Sequence, residues 1–230
     1  MILCNPHNPV GRVWKENELE QIAYLSKKYN IIVFSDEIFS DIIFDNNKVI
    51  PYSLINYADE NCIVSTALGK TFNLTGFNNA NIIIPNQGIR EKFIEQRNAD
   101  HFGSIDPLVY TAICAAYSEE GAKWVEEMII YLERNIKYIS EFLEENFPLV
   151  KVVKPEGTFT IWIDWNEMFN KDELNTFLKE AYLELDSGDN YGIEGRGFSR
   201  MNIAAPYDQI VYSLKLLKET YNKKSKPIHT

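Results

Sequence analysis

The chain predicts an α/β fold with a parallel-rich sheet, followed by a smaller α+β domain, and three observations carry that prediction. Two continuous apolar runs, Ile2-Leu3-Cys4 and Ile31-Ile32-Val33-Phe34, flank a segment of helical spacing, the pattern of parallel strands covered on both faces. Short apolar runs recur at Cys62-Ile63-Val64-Ser65-Thr66 and Asn81-Ile82-Ile83-Ile84, separated by a loop containing Gly69 and Gly76. Beyond a long helical middle, alternating strands and helices return on a smaller scale.

In order, Glu16 to Tyr29 places Leu19, Ile22, Ala23 and Leu25 at helical spacing, with acidic residues early and Lys27-Lys28 late, which suits the helix dipole. The runs at Cys62 and Asn81 read as further core strands. Helices are predicted over Ile89 to Asp100 and Pro107 to Ser118. A longer one, Ala122 to Asn146, keeps Trp124, Met128, Tyr131, Ile136 and Ile139 on one face. Val150-Lys151-Val152, Thr158 to Ile163 and Phe198 to Ile203 read as strands, with helices at Lys171 to Glu184 and Gln209 to Tyr221. The division is expected at residues 1–122 and 123–230.

At 230 residues with 45% hydrophobic side chains, the chain has the material for a real core. No run approaches the roughly 20 apolar residues of a membrane span, and the first residues lack a signal's basic start, so a cytoplasmic protein is expected. Cys4, Cys62 and Cys114 are odd in number and set in apolar segments, which favours buried thiols over bridges or zinc ligands. His7, His101 and His229 form no metal spacing. A formal charge of −10 argues against a nucleic-acid surface, and the basic cluster Lys223-Lys224-Ser225-Lys226 reads as a solvated tail.

Three features fall at the carboxyl ends of predicted strands, where ligands of open parallel sheets bind. One is the turn Asn5-Pro6-His7-Asn8-Pro9-Val10-Gly11, rigid by its two Asn-Pro steps. The second is Asp36, which emerges after an apolar strand and needs a cationic partner there; a solvated strand end, or a weak divalent-metal site with Glu37 and Asp41, is the other reading. The third is Lys70. Gly69-Lys70-Thr71 imitates the tail of a phosphate-binding loop, but that motif needs a glycine at position 64, which is Val64. A surface lysine is the plain alternative.

Taken with Ser35-Asp36-Glu37-Ile38, the stretch Ser65 to Gly76, and Gly195-Arg196-Gly197-Phe198-Ser199-Arg200-Met201-Asn202, the opening turn makes the chain resemble a fold-type I pyridoxal-phosphate enzyme of the class I/II aminotransferase superfamily. The resemblance runs through nearly the whole chain, in family order, and covers the C-terminal three-fifths or so of such an enzyme. It implies the aspartate aminotransferase-like fold, with 1–122 the C-terminal part of the cofactor-binding large domain and 123–230 the small domain. It implies pyridoxal 5'-phosphate as cofactor. Lys70 is then its covalent attachment and later moves the substrate's Cα proton. Asp36 pairs with the pyridinium nitrogen, Asn8 donates to the phenolic oxygen, Thr66 helps with the phosphate, and Arg200 grips the substrate carboxylate. For Arg200 an ordinary ion pair on a strand is the alternative. The Asn8-Pro9 bond is expected to be cis, aiming the Asn8 amide.

Lys70 to Phe77, with Tyr191-Gly192 shortly before Gly195, looks most like the cystathionine β-lyase or C–S β-lyase branch, whose members release thiol, pyruvate and ammonia from L-cysteine S-conjugates. An aminotransferase shares every one of these residues, and a catalytically inactive binding or regulatory module is the reading from another class. Three positions depart from the family: Phe39 where a tyrosine is frequent, Asn78 where an arginine binds phosphate, and Gly69 where serine is frequent. The family's first two-fifths has no counterpart here, so Met1 is expected to lie inside a longer gene product. The chain by itself is expected to aggregate, or to persist as a homodimer, another oligomer or beside a complementary N-terminal segment.

Overall fold

A computed structural model describes residues 1–225; Lys226 and His229, part of the sequence reading, lie outside the described residues. The chain divides into two units, the first comprising residues 1–8, 12–129 and 156–158, the second residues 9–11, 130–155 and 159–230.

In the first unit, β1 (Ile2–Cys4) leads through α1 (Glu16–Lys28) to β2 (Val33–Asp36). The α1 start is capped by Glu18, whose carboxylate accepts from the Lys15 backbone N–H at 2.9 Å, and its ends carry the charges that the dipole favours. Its buried positions, Leu19, Ala23 and Ser26, recur at the spacing of one helical face. They meet Leu3, Val33, Cys62 and Val64, every second residue of the adjoining strands, together with Tyr52 and Ile55. β3 (Cys62–Thr66) pairs parallel with β2, as β2 does with β1. After α2 (Leu68–Thr71) the chain returns as β4 (Asn81–Ile83), antiparallel to β3, giving the order β1-β2-β3-β4.

Two expectations are corrected here. β4 is an edge strand rather than a core strand, with Ile83 exposed; only Ile84 beyond it is buried. The sheet is not sealed on both faces: Ile2 of β1 is 80% exposed, and Ile31 and Ile32, expected in the second strand, precede β2 and are exposed. An apolar run reads alike whether one face or two is covered, because cover is supplied by other elements.

α3 (Gln87–Ala99) starts on Asn86, whose side chain accepts from Ile89 N–H at 3.1 Å, and α4 (Pro107–Ala116) starts on Asp106 with proline in its first turn. α4 holds no charged residue, yet only Ala116 in it is buried. α5 (Glu119–Asn146) passes from the first unit to the second after Ile129.

In the second unit, the rest of α5 buries Leu132, Asn135, Ile136, Ile139 and Leu143, again one face. Asn135 sits there because its amide donates to the Ile203 and Ala205 carbonyls at 2.8 and 3.2 Å. β5 (Lys151–Val153) and β6 (Thr160–Asp164) pair antiparallel. α6 (Lys171–Glu180) opens with a reciprocal Asn170–Glu173 cap. It stops four residues before the predicted end, because Tyr182 turns left-handed (φ 53°) and Leu183 N–H reaches back to Leu178 O at 3.0 Å. β7 (Asp186–Ser187) and β8 (Phe198–Asn202) complete an antiparallel sheet of order β5-β6-β8-β7, and α7 (Tyr207–Ser225) follows. Between β7 and β8 the backbones of Gly188 and Gly195 touch: a Cβ on either would fall inside the carbonyl oxygen of the other, so neither position admits a side chain. Among the described residues, no helix is long and apolar enough to cross a membrane.

Candidate functional site

The parallel arrangement of β1, β2 and β3 sends their carboxyl ends the same way, and each end carries one of the singled-out features. Cys4 pairs with Asp36, and Asp36 with Ser65, so the opening turn, Asp36 and the Thr66 to Lys70 segment leave adjacent strands at one edge of the sheet.

At β1, Asn5 is fully buried; its N–H donates to Asp36 O at 2.9 Å, and its side-chain oxygen accepts from Trp14 N–H at 3.2 Å. The turn is closed by His7 N–H donating to Arg12 O at 2.8 Å. The cis bond of this turn is Asn5-Pro6, not Asn8-Pro9. The two Asn-Pro steps are alike locally, and the surroundings distinguish them: Asn5 is tied to β2 and Trp14, and Cys4 Sγ contacts Pro6 O at 3.2 Å. Asn8 is half-buried. Burial pushes the Cys4 thiol up, the Asn8 backbone opposes this, and the Asp36 charge adds to it, so Asn8 and Asp36 both lie within electrostatic reach of one sulfur.

At β2, Asp36 is half-buried, and its Oδ1 accepts from Ile38 N–H at 3.3 Å. At β3, Thr66 Oγ1 accepts from Asn81 at 3.3 Å. Lys70 lies on α2, its ammonium 5.9 Å from the centre of the buried Phe39 ring. Among the described residues no ion pair involves Lys70 or Asp36. A half-buried cation and a half-buried anion, each without a counter-charge, leave both charge costs unmet by the protein itself. That donor set suits a ligand offering both an electrophilic carbon for the amine and a protonated ring nitrogen for the carboxylate.

The departures from the family have physical correlates. Leu74 N–H and the Thr75 hydroxyl both donate to Gly69 O, and a Cβ at Gly69 would approach Thr75 Cα to 3.2 Å, so the loop closes tightly on a glycine. Asn78 is exposed. Thr71, next to Lys70, donates to Asp41 at 2.8 Å and lines a cavity of about 430 Å³ with Asp41, Phe72, Tyr117 and Val125.

Arg200, in the second unit on β8, is paired with Asp186 directly opposite on β7 and lies 5.4 Å from the Tyr191 ring. The ion-pair reading of Arg200 is thus realised in the structure, and whether it also serves a ligand is taken up below. Sequence reasoning passed over Asp186, because a two-residue strand has no periodicity to read.

Glu37, which the sequence offers only as part of a solvated strand end or a weak metal site, is placed differently by the structure. Glu37 is buried, accepts from Ser35 Oγ and Tyr52 N–H, both at 2.9 Å, and its own N–H donates to Ser65 O, so it pins the strand end that carries Asp36. Burial raises its pKa; the two hydrogen bonds oppose that, and the Asp36 charge adds to it. A carboxyl that binds its proton more tightly folded than unfolded loses stability as pH climbs past its unfolded value of about 4.3 toward the higher folded one. Glu37→Gln, which keeps an oxygen for both donors, is therefore expected to melt higher than the parent at pH 7 and to converge with it near pH 4. A melting difference that does not change with pH rules this out.

The fold and the strand-end residues define a class. A sequence model of the aminotransferase class I and II family matches residues 1–210, and the chain belongs to that family. Its relatives include cystathionine beta-lyase PatB of Bacillus subtilis, 35% identical over 221 residues that are 94% of this chain and 57% of the relative. Protein MalY of Escherichia coli is 32% identical, over 91% of this chain and 54% of its own length. Among solved structures, cystalysin from Treponema denticola, which contains a pyridoxal 5'-phosphate cofactor, superposes with a TM-score of 0.92 at 35% identity, over 97% of this chain and 57% of that one. The chain thus has the aminotransferase-like fold in part, and spans somewhat over half the length of these relatives.

Proposed function

We propose that this protein is a pyridoxal 5'-phosphate-dependent C–S β-lyase acting in the cytoplasm on cystathionine or related L-cysteine S-conjugates, with residues 1–122 holding the cofactor and 123–230 forming the small domain. The observation that carries it is the pair of unmatched charges, Lys70 and Asp36, at the ends of neighbouring strands in a chain whose relatives include lyases. Bound there, the cofactor would supply an electron-accepting ring that eases loss of the substrate's Cα proton. Lys70 is its covalent attachment, and its amine takes that proton once released. Asp36 holds a proton on the ring nitrogen, Asn8 orients the phenolic oxygen, and Thr66 offers its hydroxyl to the phosphate. Arg200 takes the substrate carboxylate. The chain works as a homodimer or beside a complementary segment, in keeping with an uncharged α4 whose Leu108 and Tyr110 are exposed.

Reconstituted with pyridoxal 5'-phosphate, the protein is expected to absorb near the visible edge. After borohydride reduction and digestion the label should sit on Lys70; label on another lysine, or none, overturns the assignment. Thiol and pyruvate released from cystathionine without a keto acid identify the lyase. Turnover that requires an added keto acid identifies an aminotransferase, and no turnover by folded protein identifies a binding module.

A further inference from the structure

We infer that Asp41 and Thr71 are positioning residues: the hydrogen bond between them locks the helix that carries the Lys70 amine to the turn that carries Asp36. The inference deepens the proposed function and rests on the reading of Lys70 and Asp36 as the groups that hold the cofactor.

Helix α2 (Leu68–Thr71) is a single turn, too short to be stable by its own backbone bonds, so what it packs on sets the direction of its side chains. Leu68 and Thr71, three apart and on one face, are buried, whereas Gly69 and Lys70 between them are half-buried. On the buried face Thr71 Oγ1 donates to Asp41 Oδ2 at 2.8 Å, across thirty residues of chain. Apolar packing at Leu68 is non-directional and tolerates some roll of the turn. A hydrogen bond weakens steeply off its line, so this one fixes the roll. It thereby fixes where Lys70 points, one residue back and about 100° round the helix axis.

Asp41 is exposed, yet the backbone that holds it is firm. It lies in a run of turns that begins at Asp36: Ile38 N–H donates to Asp36 Oδ1 at 3.3 Å, Ser40 N–H to Glu37 O at 2.9 Å, and Ile42 N–H to Phe39 O at 3.0 Å. Glu37, Phe39 and Ile42 within it are buried. The same run meets α2 a second time, where the Lys70 ammonium stands 5.9 Å from the Phe39 ring. Asp36 and Lys70 are therefore joined by a short, cross-linked path through Asp41 and Thr71, in addition to the sheet. Cutting it leaves the strands paired but lets the amine swing against the carboxylate, and two groups acting on one bound molecule lose effectiveness with displacements of about 1 Å.

The test titrates pyridoxal 5'-phosphate into the full chain, follows absorbance near the visible edge, locates the borohydride label, and melts each variant without cofactor. Thr71→Val keeps the shape and loses the donor; Asp41→Ala removes the acceptor from an exposed position. Each is expected to raise the half-saturating concentration about tenfold and to lower the share of label on Lys70, at a temperature where both are folded. The double variant should be no worse than either single, because all three lack the same bond. Thr71→Ser and Asp41→Asn, which keep a donor and an acceptor, should stay within about threefold of the parent. A merely structural role would lower the melts and leave half-saturation unmoved. Should Thr71→Val fail to fold, Asp41→Ala decides by itself. If the parent is labelled on Lys70 and Asp41→Ala matches its half-saturation, the positioning role is wrong and the Lys70 reading stands. If the parent takes no label, or takes it on another lysine, the Lys70 reading fails, and the inference with it.

Discussion

Asp36→Asn is expected to leave the melting temperature nearly unchanged while lowering thiol release by the reconstituted protein at least a hundredfold. The amide keeps the shape of the side chain and an oxygen for the Ile38 N–H, and it removes a half-buried charge that no ion pair among the described residues offsets. Folding therefore loses little. Function loses much, because a neutral amide does not hold a proton on a ring nitrogen as a carboxylate does. Removal of one preorganised electrostatic partner typically costs about 2.7–4 kcal/mol of transition-state stabilisation. Activity within threefold of the parent in the asparagine variant would take Asp36 out of the proposed chemistry, while a collapse of the melt would recast it as a structural residue.

Trp165→Ala is the largest stability change expected in the second unit. The indole is fully buried, meets the rings of Phe147 and Phe169 at 6.5 and 6.3 Å, and donates from Nε1 to Ser199 Oγ at 2.8 Å. Truncation leaves a cavity and strands a hydroxyl that is itself buried, so about 3–5 kcal/mol is expected. For a unit of this size that lowers the midpoint by more than about 10 °C. Trp165→Phe keeps most of the packing and loses the hydrogen bond, which should cost only about 1–2 kcal/mol. Thermal melts followed by near-ultraviolet circular dichroism would measure both; equal losses in the two variants would mean that the hydrogen bond, not the ring volume, dominates.

The ends of β1, β2 and β3 show what is legible locally in a sequence. Lys70, Asp36 and Asn8 were singled out because each follows a short apolar run, and apolar runs followed by turn chemistry are local signals. The same local logic located α1, but of the five apolar positions it places on one face of α5 only Ile136 and Ile139 are buried, beside Leu132 and Leu143, while Trp124 and Tyr131 are exposed. Glu37 escaped it. Its neighbours in sequence suggest a solvated strand end, and only Tyr52, fifteen residues away, supplies the donor that makes its burial tolerable.

By itself the sequence determined the longer strands and helices, and which chemical groups stand near the ends of β1, β2 and β3, because backbone preference and side-chain period act over a few residues, whereas the short α2 and β7 carry too few residues for either signal. The tertiary structure decided the rest: that β4 runs antiparallel at an edge, that Asn5-Pro6 rather than Asn8-Pro9 is cis, that Glu37 is buried, and that Asp186 faces Arg200. Each of these depends on which distant segment lies alongside. Strand pairing and burial are properties of neighbours in space, and a residue's neighbours in the chain do not name them.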